Sequence, residues 1–171
     1  MKTIVCKFLL ILLFVSCNQT NDNTSNDKQI KLKTNMEVIE QQGVITKVST
    51  KNFEETYNSL KETIADNPNL KIIAELDHQG NSTSVGLKLN PTRIIMFGNP
   101  KLGTPLMQSS QTTGLDLPQK IMVWQDDQDM VKVSYNNPEY LKQRHGIEEK
   151  DEVLEKISEA LNKITNVAIG L

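Results

Sequence analysis

Cysteine and histidine are scarce in this chain, and long apolar runs are missing. Two of the 171 residues are cysteines, Cys6 and Cys17, and two are histidines, His78 and His145. The longest apolar run, Phe8–Val15, has eight residues, where a membrane-spanning helix needs about 20. The chain has no Gly-x-Ser-x-Gly nucleophile turn, no dinucleotide glycine fingerprint and no His-Glu-x-x-His metal motif, so the common hydrolase, dehydrogenase and zinc-protease signatures are excluded. Basic residues are never clustered, and phosphate contacts need clustered Lys and Arg, so no nucleic-acid partner is expected.

What is present begins with an address. Lys2 and Lys7 supply a weakly basic start, Phe8–Val15 an apolar segment, and Phe14-Val15-Ser16-Cys17 a close relative of the bacterial lipobox, with Phe where Leu is usual. This pattern predicts a signal peptide over residues 1–16, lipidation of Cys17, attachment to a membrane through that lipid, and a place in the bacterial cell envelope. An ordinary signal peptide or an uncleaved anchor are the alternatives. Loss of Cys6 and lipidation of Cys17 leave no thiol in the domain, which excludes disulfides, thiolate zinc sites and a cysteine nucleophile. The remaining chain has 17 basic and 21 acidic residues, a net charge of −4. Residues 17–35 are rich in Asn, Thr, Ser and Asp and almost free of apolar groups, the composition of a tether that cannot offset its ordering entropy. Residues 36–171 are then one domain.

Within it, Gly43–Ser49 is a β-branched run that predicts a strand. Asn52 and Glu55 form a capping box ahead of Phe53, Tyr57, Leu60 and Ile64 at helical spacing. Strands are predicted over Leu70–Leu76, Thr92–Phe97, Ile121–Trp124 and Val131–Tyr135, the second of these as a central strand covered on both faces. Gln79–Ser84 reads as a loop or a poor helical turn. Asn137-Pro138 opens a short helix that Gly146 closes. A last helix over about Glu148–Ala168 carries an apolar stripe of Val153, Leu154, Ile157, Leu161, Ile164 and Val167. The order gives an α+β fold: a single sheet of about five strands packed by helices, with short helices inserted.

The segment FGNPKLGTPLM, residues 97–107, places two glycines and two prolines after a buried strand. Gly98 and Gly103 have the spacing of a phosphate loop, but Thr104-Pro105 stands where such a loop needs Lys and a hydroxyl residue. Asn99-Pro100 and Thr104-Pro105 instead read as two helix starts, an N-cap before Pro, with Gly103 at positive φ between two short turns. His78 ends a strand beside Asp77, His145 closes the short helix, and Asp116 sits between leucines before a strand. Each is a candidate for a site, and each has a plainer reading as a cap or surface group. Trp124, inside an apolar strand, reads as core.

The phrases Leu76-Asp77-His78, Val85-Gly86-Leu87, Asn90-Pro-Thr-Arg-Ile-Ile-Met-Phe-Gly-Asn-Pro100 and Gly103-Thr-Pro-Leu-Met107 closely resemble the domain-of-unknown-function 302 family. Leu115-Asp-Leu-Pro118 through Trp124, Tyr135-Asn-Asn-Pro138 and Arg144-His-Gly146 match its later motifs. The likeness covers about residues 43–168. It implies a compact domain with a β-α-β(4)-α-like arrangement and homodimers among its assemblies, and it implies no agreed activity. The family tends to have an Ala-rich turn after Asp-His. Gln79-Gly-Asn-Ser-Thr-Ser84 replaces it here, and a frayed turn is expected.

Three functions are carried forward. The first is a lipid-anchored envelope module that holds a small ligand or a partner in a cleft near His78, Asn99, Thr104, Met107, Asp116 and His145. The second is a small hydrolase-like enzyme with His78 or His145 as general base and Asp116 orienting it. The third is a structural envelope protein acting through a dimer face. No metal site is expected, and no cofactor is implied.

Overall fold

The computed structural model describes residues 38–171; the expected signal peptide, Cys17 and the tether lie outside the described residues. Six strands form one antiparallel sheet: β1 (Val38–Gln41), β2 (Val44–Val48), β3 (Lys71–Asp77), β4 (Thr92–Gly98), β5 (Gln119–Gln125) and β6 (Val131–Asn136). Their order across the sheet is β1-β2-β6-β5-β4-β3. Five helices connect or flank them: α1 (Phe53–Ala65), α2 (His78–Ser84), α3 (Pro100–Ser109), α4 (Pro138–His145) and α5 (Asp151–Ile169), with a 3-10 turn at Gln111–Leu115. The fold is α+β, as its order of elements predicted, with one strand more than the sequence indicated. That strand, β1, pairs with β2 through a two-residue turn at Gln42 and Gly43, both at positive φ. This is the turn geometry that matches strand twist.

Register assigns each strand residue to a face. Ile95, Ile121, Tyr135 and Ile45 stand opposite one another across four strands, and Val123, Val133 and Lys47 form the neighbouring row. Both rows meet α1 and α5. Phe53, Tyr57, Leu60 and Ile64 of α1 and Leu154, Ile157, Leu161, Ile164 and Ala168 of α5 complete the same core. Each such aliphatic side chain stabilises the fold by roughly 1.5–3 kcal/mol on full burial. Asn52 caps α1 as predicted, its Oδ1 accepting from Glu55 N at 2.9 Å.

The opposite row runs Leu76, Ile94, Met122, Ser134, Thr46 and Ile39. Its apolar members lie outside the core. This corrects two expectations. β4 is covered on one face only: Ile95 and Phe97 are buried while Ile94 and Met96 are half-buried. An uninterrupted apolar strand therefore does not require helices on both sides. Trp124 is also not core; it lies beside Met122's row with its Nε1 donating to Ser134 Oγ at 2.9 Å and the Lys132 ammonium 5.0 Å from its ring.

Further differences are local. Residues 100–109 form one ten-residue helix containing Pro105, not two turns hinged at Gly103. The Asn99 carbonyl accepts from both Leu102 N and Gly103 N, at 2.9 and 3.0 Å, so the first turn closes without a break. Gln79–Ser84 is helical, as α2, with Asp77 Oδ1 accepting from Gly80 N at 2.9 Å. One cap starts a seven-residue exposed helix despite poor propensity. The last helix starts at Asp151 and keeps Val167 exposed. Gly146 closes α4 at φ +61°, as predicted.

Candidate functional site

The site grows from the end of β4. Asn99 is extended and caps α3, its Oδ1 accepting from Lys101 N at 2.9 Å, and Pro100 occupies the first helical position. Pro105 lies inside the helix and has no N–H for the Lys101 carbonyl, so α3 continues there without that hydrogen bond. Leu106 is driven into the core at 2% exposure. Gly103 faces Leu117: a Cβ there would lie 3.4 Å from Leu117 Cδ1, an ordinary contact that places α3 against the Leu117-Pro118 segment. The peptide bond between those two residues is cis.

Between these parts opens a cavity of about 320 Å³. Phe97 and Gln119, paired across β4 and β5, form its sheet side. Leu102, Thr104 and Met107 of α3 form one wall, and Ile157, Ala160 and Leu161 of α5 another. Leu70, Lys71 and Ile73 border it at the start of β3. Its surface is overwhelmingly apolar, which is the usual character of a small-molecule pocket. Gln119 is the buried member of its few polar side chains, the others being Asn99, Thr104 and Lys71. It is 8% exposed, lines the cavity, and its side-chain amide makes no hydrogen bond among the described residues.

Of the six residues singled out in the sequence, Asn99, Thr104 and Met107 line this cavity. Asp116 and His145 meet each other beside it. Asp116 Oδ2 lies 2.6 Å from His145 Nε2, Thr112 Oγ1 lies 3.0 Å from His145 Nδ1, and Arg144 Nη1 is 3.6 Å from the same Asp116 oxygen. The His145 side chain is 4% exposed. Both ring nitrogens are thus engaged, and the imidazole fastens α4 to the turn that leads into Leu117-Pro118. His78 is elsewhere. It follows the last residue of β3, whereas the cavity borders the first, and seven residues of strand span roughly 23 Å. No third histidine or cysteine exists in the domain to draw these groups into a metal site, and among the described residues no group of three or more His, Cys, Asp or Glu is placed to hold a metal ion.

A second polar cluster lies near the other end of β4. Arg93 sits over the rings of Phe53 and Tyr57, 5.2 and 5.3 Å from their centroids, and pairs with Glu54 at 2.9 Å and Asp77 at 3.6 Å. Tyr57 Oη donates to Glu75 at 2.8 Å, and Lys61 pairs with the same carboxylate at 2.8 Å. The hydrogen bond from Lys61, joined by that of Tyr57, holds the Glu75 carboxyl below its ordinary range; burial pushes the Tyr57 phenol up. None of these residues lines the cavity beside α3.

Asn99, Thr104 and Met107 were marked in the sequence, as parts of two short turns, whereas Gln119, Leu117 and Ala160 were not. The α5 residues Ile157 and Leu161 were visible as a helical stripe, though nothing in the stripe marked them as cavity wall. A glutamine opening a strand carries no signal of burial, because only register with Phe97 turns it inward.

The comparisons agree on the fold. A family profile described as "Domain of unknown function DUF302" matches residues 45–164. The crystal structure of an uncharacterized conserved DUF302 protein from Bacillus stearothermophilus superposes with a TM-score of 0.66 at 18% identity, covering 75% of this chain and 99% of that one. At that identity the likeness is one of fold. Among curated relatives, a protein named fluoride-specific ion channel FluC 1, from Brucella suis biovar 1 (strain 1330), is 38% identical over 99 residues, covering 54% of this chain and 39% of its own length. Fluoride-specific ion channel FluC 2 of Brucella melitensis biotype 1 matches equally, over 37% of its length. The chain therefore spans well under half the length of these relatives.

Proposed function

This chain belongs to the DUF302 family, and from that premise we propose that the domain is a small-ligand-binding module whose site is the cavity between α3, α5 and the start of β3. The observation that carries this reading is the cavity itself, about 320 Å³ and built around residues 97–107. Small-molecule pockets run from about 300 Å³ upward, are mostly apolar and hold few polar groups. The lipobox-like Phe14–Cys17 supports a module held at the envelope through lipidated Cys17. The relatives' printed names, those of fluoride-specific ion channels, support a place beside a membrane. Native mass spectrometry of the gently purified chain tests the reading: a bound mass is expected, lost on Ala160→Trp. Bare protein from several growth conditions would sink it.

The hydrolase-like alternative has less support, since His78 stands away from the cavity and both nitrogens of His145 are engaged. A dimeric envelope protein is a second reading, favoured by the half-buried sheet face of Ile94, Met96, Met122 and Trp124. Sedimentation of Met122→Glu separates it: a monomer where wild type is dimeric supports that reading, and a wild-type monomer removes it.

A further inference from the structure

We propose that the cavity selects an uncharged molecule of about ten non-hydrogen atoms, apolar along most of its length and ending in one carbonyl, hydroxyl or amide that pairs with Gln119. This rests on the cavity being a binding site. Size follows from volume: about 320 Å³, at roughly 30 Å³ for each water-sized group, holds about ten of them. The polar end follows from Gln119. Its amide carries two donors and an acceptor. At 8% exposure, with no side-chain hydrogen bond among the described residues, it lines the cavity with its amide open to solvent there and free to exchange water for a guest. A guest that supplies a matching group gains that bond, and a wholly apolar guest leaves the amide cut off from water.

The absence of charge follows from the rest of the lining. Lys71, exposed at the start of β3, is the sole ionisable side chain among the lining residues. A carboxylate or phosphate seated at Gln119 has no buried cation to meet it, and an unpaired buried charge costs far more than a neutral polar group. The cavity thus fits medium-length amides, alcohols, ketones or esters and rejects their ionised counterparts. Gln119 acts as the specificity-determining residue, and the apolar walls of α3 and α5 supply the bulk of the contact.

The test is calorimetric titration of the full chain at pH 8 with octanamide, octanoate and butylbenzene, which share about the same number of non-hydrogen atoms. Octanamide is expected to bind at least tenfold more tightly than octanoate. Gln119→Leu is expected to weaken octanamide about three- to tenfold, the range of one neutral hydrogen bond, and to leave butylbenzene unchanged or tighter. Ala160→Trp, or Met107→Trp should the first fail to fold, fills the cavity and abolishes all binding. Octanoate binding as well as octanamide overturns the proposed selectivity, as does Gln119→Leu without effect on octanamide. Either result leaves the binding reading intact if the tryptophan variants still abolish binding. Binding that survives both tryptophan variants, or no binding of any probe to wild type, overturns the cavity as a site.

Discussion

Lys47 offers a sharp test of how the domain is held together. It belongs to the core-facing row of the sheet, opposite Val133, and is 3% exposed. Its ammonium donates to Asn162 Oδ1 at 2.6 Å, Thr165 Oγ1 at 2.9 Å and Asn166 Oδ1 at 2.7 Å, all on α5. No carboxylate pairs with it among the described residues, so a full charge is held by neutral oxygens. Hydrogen bonds to a charged group are worth about 1.5–3 kcal/mol each, so three give roughly 4.5–9 kcal/mol. Desolvating the ammonium costs several kcal/mol. The two nearly cancel. Lys47→Met keeps the volume and removes both terms. Asn162 is exposed and Asn166 half-exposed, so their amides turn to water, and Thr165 still donates to the Leu161 carbonyl at 2.8 Å. The expected cost is within about 1.5 kcal/mol. Lys47→Ala, which deletes the packed stem, is expected to cost about 2–4 kcal/mol.

The same site has a pH signature. Desolvation lowers the Lys47 pKa below its ordinary 10.5. The folded state therefore disfavours the proton, and wild-type stability gains as pH climbs from the lowered folded value towards 10.5, with no change from this group below it. Tyr57 and Tyr135, both raised, act oppositely above their ordinary 10. The difference between wild type and Lys47→Met cancels Tyr57 and reports Lys47 together with Tyr135, whose ring lies 5.8 Å from the ammonium and whose titration begins only near 10. Urea unfolding at pH 7 and at steps up to 10.5 reads both effects. A Lys47→Met loss above about 4 kcal/mol at pH 7, or a wild-type-minus-variant difference that stays flat with pH, would refute the near-cancellation.

Other outcomes are expected elsewhere. Glu75 has a depressed pKa, so its stabilising effect is present above its ordinary 4.5 and is lost as pH falls through the lower folded value; Glu75→Gln should flatten that part of an acid-unfolding curve. Thr113 Oγ1 is buried with no hydrogen bond among the described residues, and Thr113→Val is expected to raise stability by about 1 kcal/mol in urea melts, since it removes an unpaired hydroxyl at equal shape. Asp116→Ala should cost about 1–3 kcal/mol by leaving His145 Nε2 buried and unmatched. Gly146→Ala, at φ +61° in open space, is expected to lose about 1 kcal/mol. Gly43→Ala should lose more, because its Cβ would overlap the Tyr140 ring.

The candidate site was half legible. Asn99, Thr104 and Met107 stood out because helix starts and glycine positions are written locally, in the order Asn-Pro and Gly-Thr-Pro. A cleft beside them was expected, but the wall that faces them was not legible, since Ile157, Ala160 and Leu161 meet them only where α5 passes α3. His78 and His145 illustrate the same limit. Both end elements and both stand beside carboxylates or caps in the sequence. The packing of α4 brought only His145 to Asp116, while β3 carried His78 to the far end of the sheet.

By itself the sequence determined the class of fold and most of its elements, β1 and the unbroken α3 excepted. Asn52, Asn137 and Gly146 mark helix ends through hydrogen bonds and backbone angles that act within a few residues, and the stripes of α1 and α5 follow from a period of 3.6. Tertiary structure alone decided which face of each strand is covered, because alternation states that two faces differ and never which helix meets them. It placed Trp124 outside the core, Lys47 inside it, and Gln119 against the cavity. Those three placements depend on register between strands far apart in the chain, and register is set by the packing of the whole sheet against its helices.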